Sequence, residues 1–333
     1  MSATPELGTP WRIGPVEVPN RVLLAPLAGV GNWFVRLQAK RYGAGLAVSE
    51  MVSSFAIHHR NEKTMRELLR IHPDERGGGP VSIQLFGHDP EIMRSAAATV
   101  AEGGADLIDL NMGCPVPKVC KTGAGAALIK DPDTAVAVAR AAREGSGLPV
   151  TVKLRSGQRP GETDGFELAH RLAHDAGVSA IAFHPRSAAV HHKGTPDYDL
   201  AARLVATLDA PVILTGGLRS AEAVRLAHER TGAAAVMLAR GALGNPWLFA
   251  QVLGTRTAGP TDDEVLAELH WVMDRAVEHL GADRAGRYLR KFYPWYLEQL
   301  HASKELQRAM QATATVADAR AVLGGPEALA AAA

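Results

Sequence analysis

Cysteine is nearly absent: Cys114 and Cys120 are the only two in 333 residues. A disulfide framework is thereby excluded, and a reducing, cytoplasmic compartment is the expectation. The Cys-x5-Cys spacing is not the paired spacing of a zinc site, and no histidine stands beside it at ligand spacing, so no metal is expected. Net charge is also small, at +1, which speaks against a general nucleic-acid coat protein. The stretch from Met1 to Pro10 is polar with one charge, Glu6. It lacks a basic segment followed by an apolar one, so no signal peptide is expected. No apolar run is long enough to span a bilayer.

What is present is an ordinary globular composition, 47% hydrophobic and 21% charged. Short apolar runs alternate with amphipathic stretches. Eight runs read as strands: Val22 to Pro26, Leu46 to Glu50, Val81 to Phe86, Leu107 to Asn111, Val150 to Leu154, Ala180 to His184, Val212 to Thr215 and Ala235 to Ala239. Most lack polar/apolar alternation, as strands covered on both faces do. Helical patterns lie between them, at Pro90 to Glu102, Pro132 to Glu144, Gly165 to Ala176 and Ser220 to His228. Ser220 reads as an N-cap. Eight strand–helix units point to an α/β fold, a (β/α)8 TIM barrel. A doubly wound sheet is the rival, but no Gly-x-Gly-x-x-Gly follows the first strand. Gly254 to Asp263 reads as a linker, and the Ala-rich remainder has only helical periods. The expected domains are therefore a barrel over residues 1–253 and a small all-helical domain over 254–333.

In a barrel the site forms at the C-terminal strand ends. The most telling of these is Leu110-Asn111-Met112-Gly113-Cys114-Pro115. A thiol placed on a loop by Gly and Pro, beside an amide side chain, can give a proton to a bound substrate; a structural cysteine in a tight turn is the other reading. Gly216-Gly217 after the seventh strand and Arg240-Gly241 after the eighth suit a phosphate grip, or simple turn chemistry. Lys153, inside a strand, needs an anionic partner such as the reduced edge of a flavin, or else snorkels to the mouth. His184, ahead of Pro185-Arg186, is either a ligand contact or a packing residue. His191-His192 read as loop residues rather than metal ligands.

The C-terminal part is locally basic. From Arg284 to Arg308 six cations stand against Glu298 and Glu305, interleaved with Tyr288, Phe292, Tyr293, Trp295 and Tyr296. That suits RNA, whose backbone is anionic and whose exposed bases stack on rings. It equally suits an amphipathic helix with a ring-filled core and a solvated charged face.

Taken together, the motifs resemble the tRNA-dihydrouridine synthases, and most closely their bacterial B-type branch. The matching stretches are Asn20-Arg21, Ala25 to Gly29, Val48 to Met51, Asp109 to Pro115, Lys118, Gly123-Ala124-Gly125, Val150 to Arg155, Ala239-Arg240-Gly241 with Pro246-Trp247, and Arg290-Lys291-Phe292 to Trp295-Tyr296-Leu297. The resemblance implies an FMN-dependent barrel reduced by NADPH, which reduces a tRNA D-loop uridine to 5,6-dihydrouridine. Hydride would go to C6, and Cys114 would protonate C5. It implies cofactor contacts at Pro26, Leu27, Ala28, Gln84, Lys153, His184, Gly216, Gly217, Ala239 and Arg240. Substrate contacts would fall at Asn111, Arg186, Arg287, Arg290 and Lys291. A monomer without an obligate protein partner is expected.

Three departures from the family pattern stand out. Leu27 replaces a frequent Met, Thr215-Gly216-Gly217 replaces Asn-Gly-Asp, and His184-Pro185-Arg186-Ser187 replaces His-Gly-Arg-Thr. An FMN barrel acting on a free pyrimidine or an enone is the rival enzyme, but it would not need the basic, aromatic C-terminal segment. A catalytically idle RNA-binding module is the rival outside enzymology, and the intact Cys114, Lys153 and His184 speak against it.

Overall fold

The structure, a computed structural model, describes residues 4–324. The Ala-rich tail 325–333, which the sequence pattern counts in the helical domain, lies outside the described residues, as do residues 1–3. The described residues divide into two compact units, one ending at Arg240 and one beginning at Gly241.

The first unit opens with a hairpin, β1 (Trp11–Ile13) and β2 (Val16–Val18), that no periodicity announces because each strand has three residues. Its two-residue turn is Gly14-Pro15, with Gly14 at φ +57, the left-handed geometry tight hairpins demand. Eight further strands follow: β3 (Val22–Leu24), β4 (Leu46–Ser53), β5 (Val81–Phe86), β6 (Leu107–Met112), β7 (Val150–Arg155), β8 (Ala180–His184), β9 (Val212–Thr215) and β10 (Ala235–Leu238). All neighbours are parallel, and the order β10-β3-β4-β5-β6-β7-β8-β9 closes into a barrel. The α/β TIM barrel read from the sequence is the observed fold. Helices start where cap residues announce them. Asp89 caps Pro90–Glu102, Asp131 caps Pro132–Ser146 and Ser220 caps Ala221–Thr231, each through its side-chain oxygen.

Inward side chains near the strand starts are apolar. Leu23, Leu46, Leu107, Ala180, Ile213 and Ala235 form one cluster with Trp11, Ile13 and Val18 of the hairpin. The hairpin thus floors the barrel. In register, Asn111 pairs Lys153, Lys153 pairs Ala182, and Ala182 pairs Ile213. The inward face therefore continues upward into polar residues at the C-terminal ends of β5 to β8.

The second unit is helical beyond the Gly254–Asp263 region. Its boundary falls before Trp247–Val252, which the sequence pattern assigns to the barrel domain. Close approach explains why this segment groups with the helices: a Cβ on Gly244 (φ +63) would meet Trp295 Cβ at 2.5 Å. Thr261 and Glu264 form a capping box at the start of Asp262–Leu280, and Arg256 clamps the Glu264 carboxylate at 2.7 and 2.8 Å. Phe292, Tyr293 and Tyr296 are buried, so these rings fill the helical core and present no face to a base. Arg287 and Lys291 are exposed.

Candidate active site

The loop after β6 is shaped by one side chain. Asn111 Oδ1 accepts hydrogen bonds from the backbone N–H of Gly113 (3.2 Å) and of Cys114 (2.9 Å). This Asx turn lifts Cys114 out of the strand direction. Ala126 N–H (3.0 Å) and the Cys120 thiol (3.3 Å) both donate to the Cys114 carbonyl. Gly125, at φ +64, makes room for this: a Cβ there would lie 2.8 Å from that carbonyl oxygen. Arg155 Nε donates to Gly113 O (3.0 Å), and its Nη1 donates to Ser187 O (3.0 Å) and His191 O (2.7 Å). One buried guanidinium therefore ties the β6 loop to the β8 loop. Cys114 itself is half-buried. Burial pushes its thiol above the usual range, with a backbone hydrogen bond at Val116 and then the charges of Arg155 and Lys153 pulling the other way, so the protonated form is favoured.

Beneath the loop lies a buried polar chain. Thr151 Oγ1 donates to Asp109 Oδ1 (2.5 Å), and Gln84 Nε2 donates to Asp109 Oδ2 (2.6 Å). Asn111 Nδ2 donates to Gln84 Oε1 (2.9 Å) and rests 3.5 Å from Met51 Sδ. A register shift in the β4–β5 ladder after Val48 sits beside it. There Ser49 Oγ accepts the Gln84 backbone N–H (2.9 Å). Asp109 is fully buried, and desolvation raises its carboxyl to about 6 against the hydrogen bonds and the Lys153 charge. Burial and the nearby Arg155 bring Lys153 down to about 8.

The opposite side of the mouth is cationic. Arg186 Nη1 donates to His184 Nε2 (3.3 Å). A guanidinium only donates, so this imidazole nitrogen accepts and the ring is neutral. Burial, with Lys153, Arg155 and Arg186, forces the His184 pKa far below its usual value. His192 stacks on it at 6.0 Å and is lowered to about 4, mainly by burial. Gly216 (φ +104) and Gly217 (φ +80) are both left-handed. A Cβ on Gly216 would strike His184 Cδ2 at 2.3 Å. Burial, followed by the charges of Arg219 and Arg186, lowers Arg240.

Pro26, Leu27, Ala28, Asn111, Cys114, His184, Arg186, Gly216, Gly217, Ala239 and Arg240 lie at or just past the C-terminal strand ends and so gather at one rim, with Gln84 and Lys153 two residues inside the ends of β5 and β7. Arg287, Arg290 and Lys291 belong to the helical unit. There Arg290 donates to Thr313 O (3.1 and 2.7 Å), and Lys291 lies 4.7 Å over the Tyr288 ring. Sequence reasoning missed Asp109, Thr151 and His192, and placed Ser49 at a strand end without a role. The one usable signal was an acid in an inward position within the buried run Leu107 to Leu110.

These residues fit a cofactor with an anionic tail. Arg186 Nε is buried with no partner among the described residues, and burial, then the charge of Arg219, lowers both Arg186 and Arg240. Two left-handed glycines beside them leave the backbone open to an anion. Lys153, Gln84 and the Pro26–Ala28 turn would border the ring system.

Known proteins concur with this architecture. At 35% identity over 303 residues, the chain is similar to tRNA-dihydrouridine synthase B of Pseudomonas aeruginosa, with 89% of each chain covered. It is 36% identical over 306 residues to tRNA-dihydrouridine synthase B of Vibrio vulnificus, covering 90% of this chain and 94% of the relative. Among solved structures, morphinone reductase shares the fold, with a TM-score of 0.57 at 18% identity over 79% of this chain and 93% of that one. The family model for dihydrouridine synthase (Dus) matches residues 23–332. With that span and the Cys114 loop at the mouth of the barrel, the chain belongs to the dihydrouridine synthase family.

Proposed function

We propose that this protein reduces a uridine in the D-loop of tRNA to 5,6-dihydrouridine, with FMN as cofactor and NADPH as reductant. The observation that carries the reading is the half-buried thiol of Cys114, held by Asn111 at the mouth of a cation-lined barrel. Gly216, Gly217 and Arg240, joined by Arg186 in place of the substrate contact the resemblance implies for it, would hold the phosphate of FMN, and Pro26, Leu27, Ala28, Gln84, Lys153, His184 and Ala239 would border the rest. When bound, FMN would supply the hydride that goes to C6 of the uracil. Cys114 gives its proton to C5, a role a thiol with a raised pKa can fill at neutral pH. The second Nδ2 hydrogen of Asn111 is held by the weak acceptor Met51 Sδ at 3.5 Å, and a uracil carbonyl would replace that contact. Neutral His184 offers Nδ1–H, and a charged Lys153 favours the anionic edge of the reduced flavin. A uracil reaches this depth only after leaving its stack, which favours a splayed loop nucleotide. Arg287, Arg290 and Lys291 supply sequence-independent attraction to the tRNA backbone. The protein acts as a cytoplasmic monomer, with a catalytic barrel unit that ends at Arg240 and a tRNA-binding helical unit that begins at Gly241.

The test is incubation of the purified protein with NADPH and unmodified tRNA transcript, followed by nucleotide-resolved mass spectrometry. Dihydrouridine at one D-loop position is the expected product. A flavin-loaded protein that oxidises NADPH yet leaves every uridine intact would overturn the reading.

A further inference from the structure

We propose that Asp109 is a positioning residue whose buried carboxylate dictates which way the amides of Gln84 and Asn111 face, and so holds the loop that carries Cys114. The argument is one of donors and acceptors. An ionised carboxylate only accepts hydrogen bonds. Gln84 must therefore present Nε2 to Asp109, as it does at 2.6 Å, which leaves Oε1 toward Asn111. Asn111 must then present Nδ2 to Gln84, at 2.9 Å, which leaves Oδ1 toward the loop. From the other end, the N–H groups of Gly113 and Cys114 only donate, and they demand that same oxygen. Both ends impose one polarity on two side chains that could each lie either way round.

Reversing either amide would set oxygen against oxygen in a dry site, where an unmade hydrogen bond is costly. Thr151 completes the carboxylate from β7, and the Lys153 charge favours its ionised form. Asp109 is fully buried and reaches the loop through two intermediaries, Gln84 and Asn111. Its pairs span β5, β6 and β7, so the orientation of the Cys114 loop is tied to the register of three strands.

The proposal rests on Cys114 as proton donor, and its test separates the two. In a Cys120→Ser background Cys114 is the only thiol, and two rates are read: its alkylation by iodoacetamide, and dihydrouridine formation (kcat and KM for tRNA). Gln84→Glu places two carboxylates face to face. It should lower kcat about 10- to 100-fold and change the alkylation rate several-fold. The double variant Asp109→Asn/Gln84→Glu moves the carboxylate one link along the chain. The new amide at position 109 then donates to the new carboxylate at position 84. That carboxylate also accepts from Asn111, and the alkylation rate, which does not depend on flavin, should return to near the parent value. A purely space-filling role predicts no such rescue, because all the changes are isosteric.

If Gln84→Glu does not fold, the pair Asn111→Asp and Asp109→Asn/Asn111→Asp repeats the logic with every amide reversed, read by alkylation. A single variant that alkylates like the parent, or a folded double variant no better than its single, overturns the proposal. A parent protein that makes no dihydrouridine overturns the proton-donor role of Cys114 instead, and the alkylation pattern still decides the relay.

Discussion

The floor and the mouth of the barrel are built from the same strands and the same inward face, yet they are held together differently. At the floor, Leu23, Leu46, Leu107, Ile213 and the hairpin residues Trp11, Ile13 and Val18 need only fill volume. One or two inward positions higher stand Gln84, Asp109, Asn111, Thr151 and Lys153, and each needs a partner of the right polarity. Close packing tolerates exchange of one apolar side chain for another of similar size. A buried hydrogen-bond chain does not, because one unpaired group costs more than a bond contributes. The floor is where stability is stored, and the mouth is where stability is given up for geometry.

The sharpest way to break the comparison is to remove chemistry without touching packing. Cys114→Ala should lower dihydrouridine formation about 100- to 10,000-fold. Flavin absorbance and melting temperature should stay as in the parent, because Cys114 is half-buried on a loop braced by backbone and Asn111. The converse is Trp11→Ala. That ring is nearly covered and its indole N–H donates to Asn20 O at 3.0 Å. Its loss should cost about 3–5 kcal/mol, read as a lower denaturant midpoint. Turnover per folded molecule should be unchanged.

Lys153 sharpens the contrast from the mouth. Lys153→Met should weaken flavin binding roughly 10- to 100-fold in a fluorescence titration, the worth of a charged hydrogen bond. The parent should also show a pH dependence. Its ammonium is held at about 8, so flavin affinity should fall as pH rises from 7 to 9, and the Met variant should lack that fall. Stability runs the other way. The unfolded lysine binds its proton more tightly than the folded one, so this residue's penalty fades as pH rises from about 8 toward 10.5. The smallest effect is expected in the helical unit. Exposed Arg287→Ala should weaken tRNA binding only a few-fold and reduce the salt dependence of log Kd by about one unit.

These expectations differ in how far they were legible in the chain. Cys114 and Lys153 stand out because a thiol on a Gly-Pro loop and a lysine in an apolar strand are both anomalous. Helix starts at Pro90 and Pro132 follow from an Asp-Pro pair, which caps and presets the first turn. The hairpin at Trp11–Val18 is too short to carry a period, although Gly14-Pro15 marks its turn. Asp109 hid inside a motif that drew the eye to Cys114. His192 read as a loop residue, because nothing local says that its ring stacks on His184. The aromatics after Tyr288 fitted either a core or an RNA surface until burial showed Phe292, Tyr293 and Tyr296 at 0–3% exposure.

The eight strands, their helices and the rim on which polar strand ends gather are local properties. Apolar runs, cap residues and spacing encode them, so the amino-acid order alone determined them. The partnerships across the rim are not local. Gln84 and Asp109 are 25 residues apart, Asp109 and Thr151 are 42, and Arg155 and Gly113 are 42. They meet only because β5, β6, β7 and β8 lie side by side in one register, and a slip of one residue would turn every one of these side chains to the other face. Register is set by closure of the whole barrel, and that is why the direction of each amide beneath Cys114 was decided by the tertiary structure.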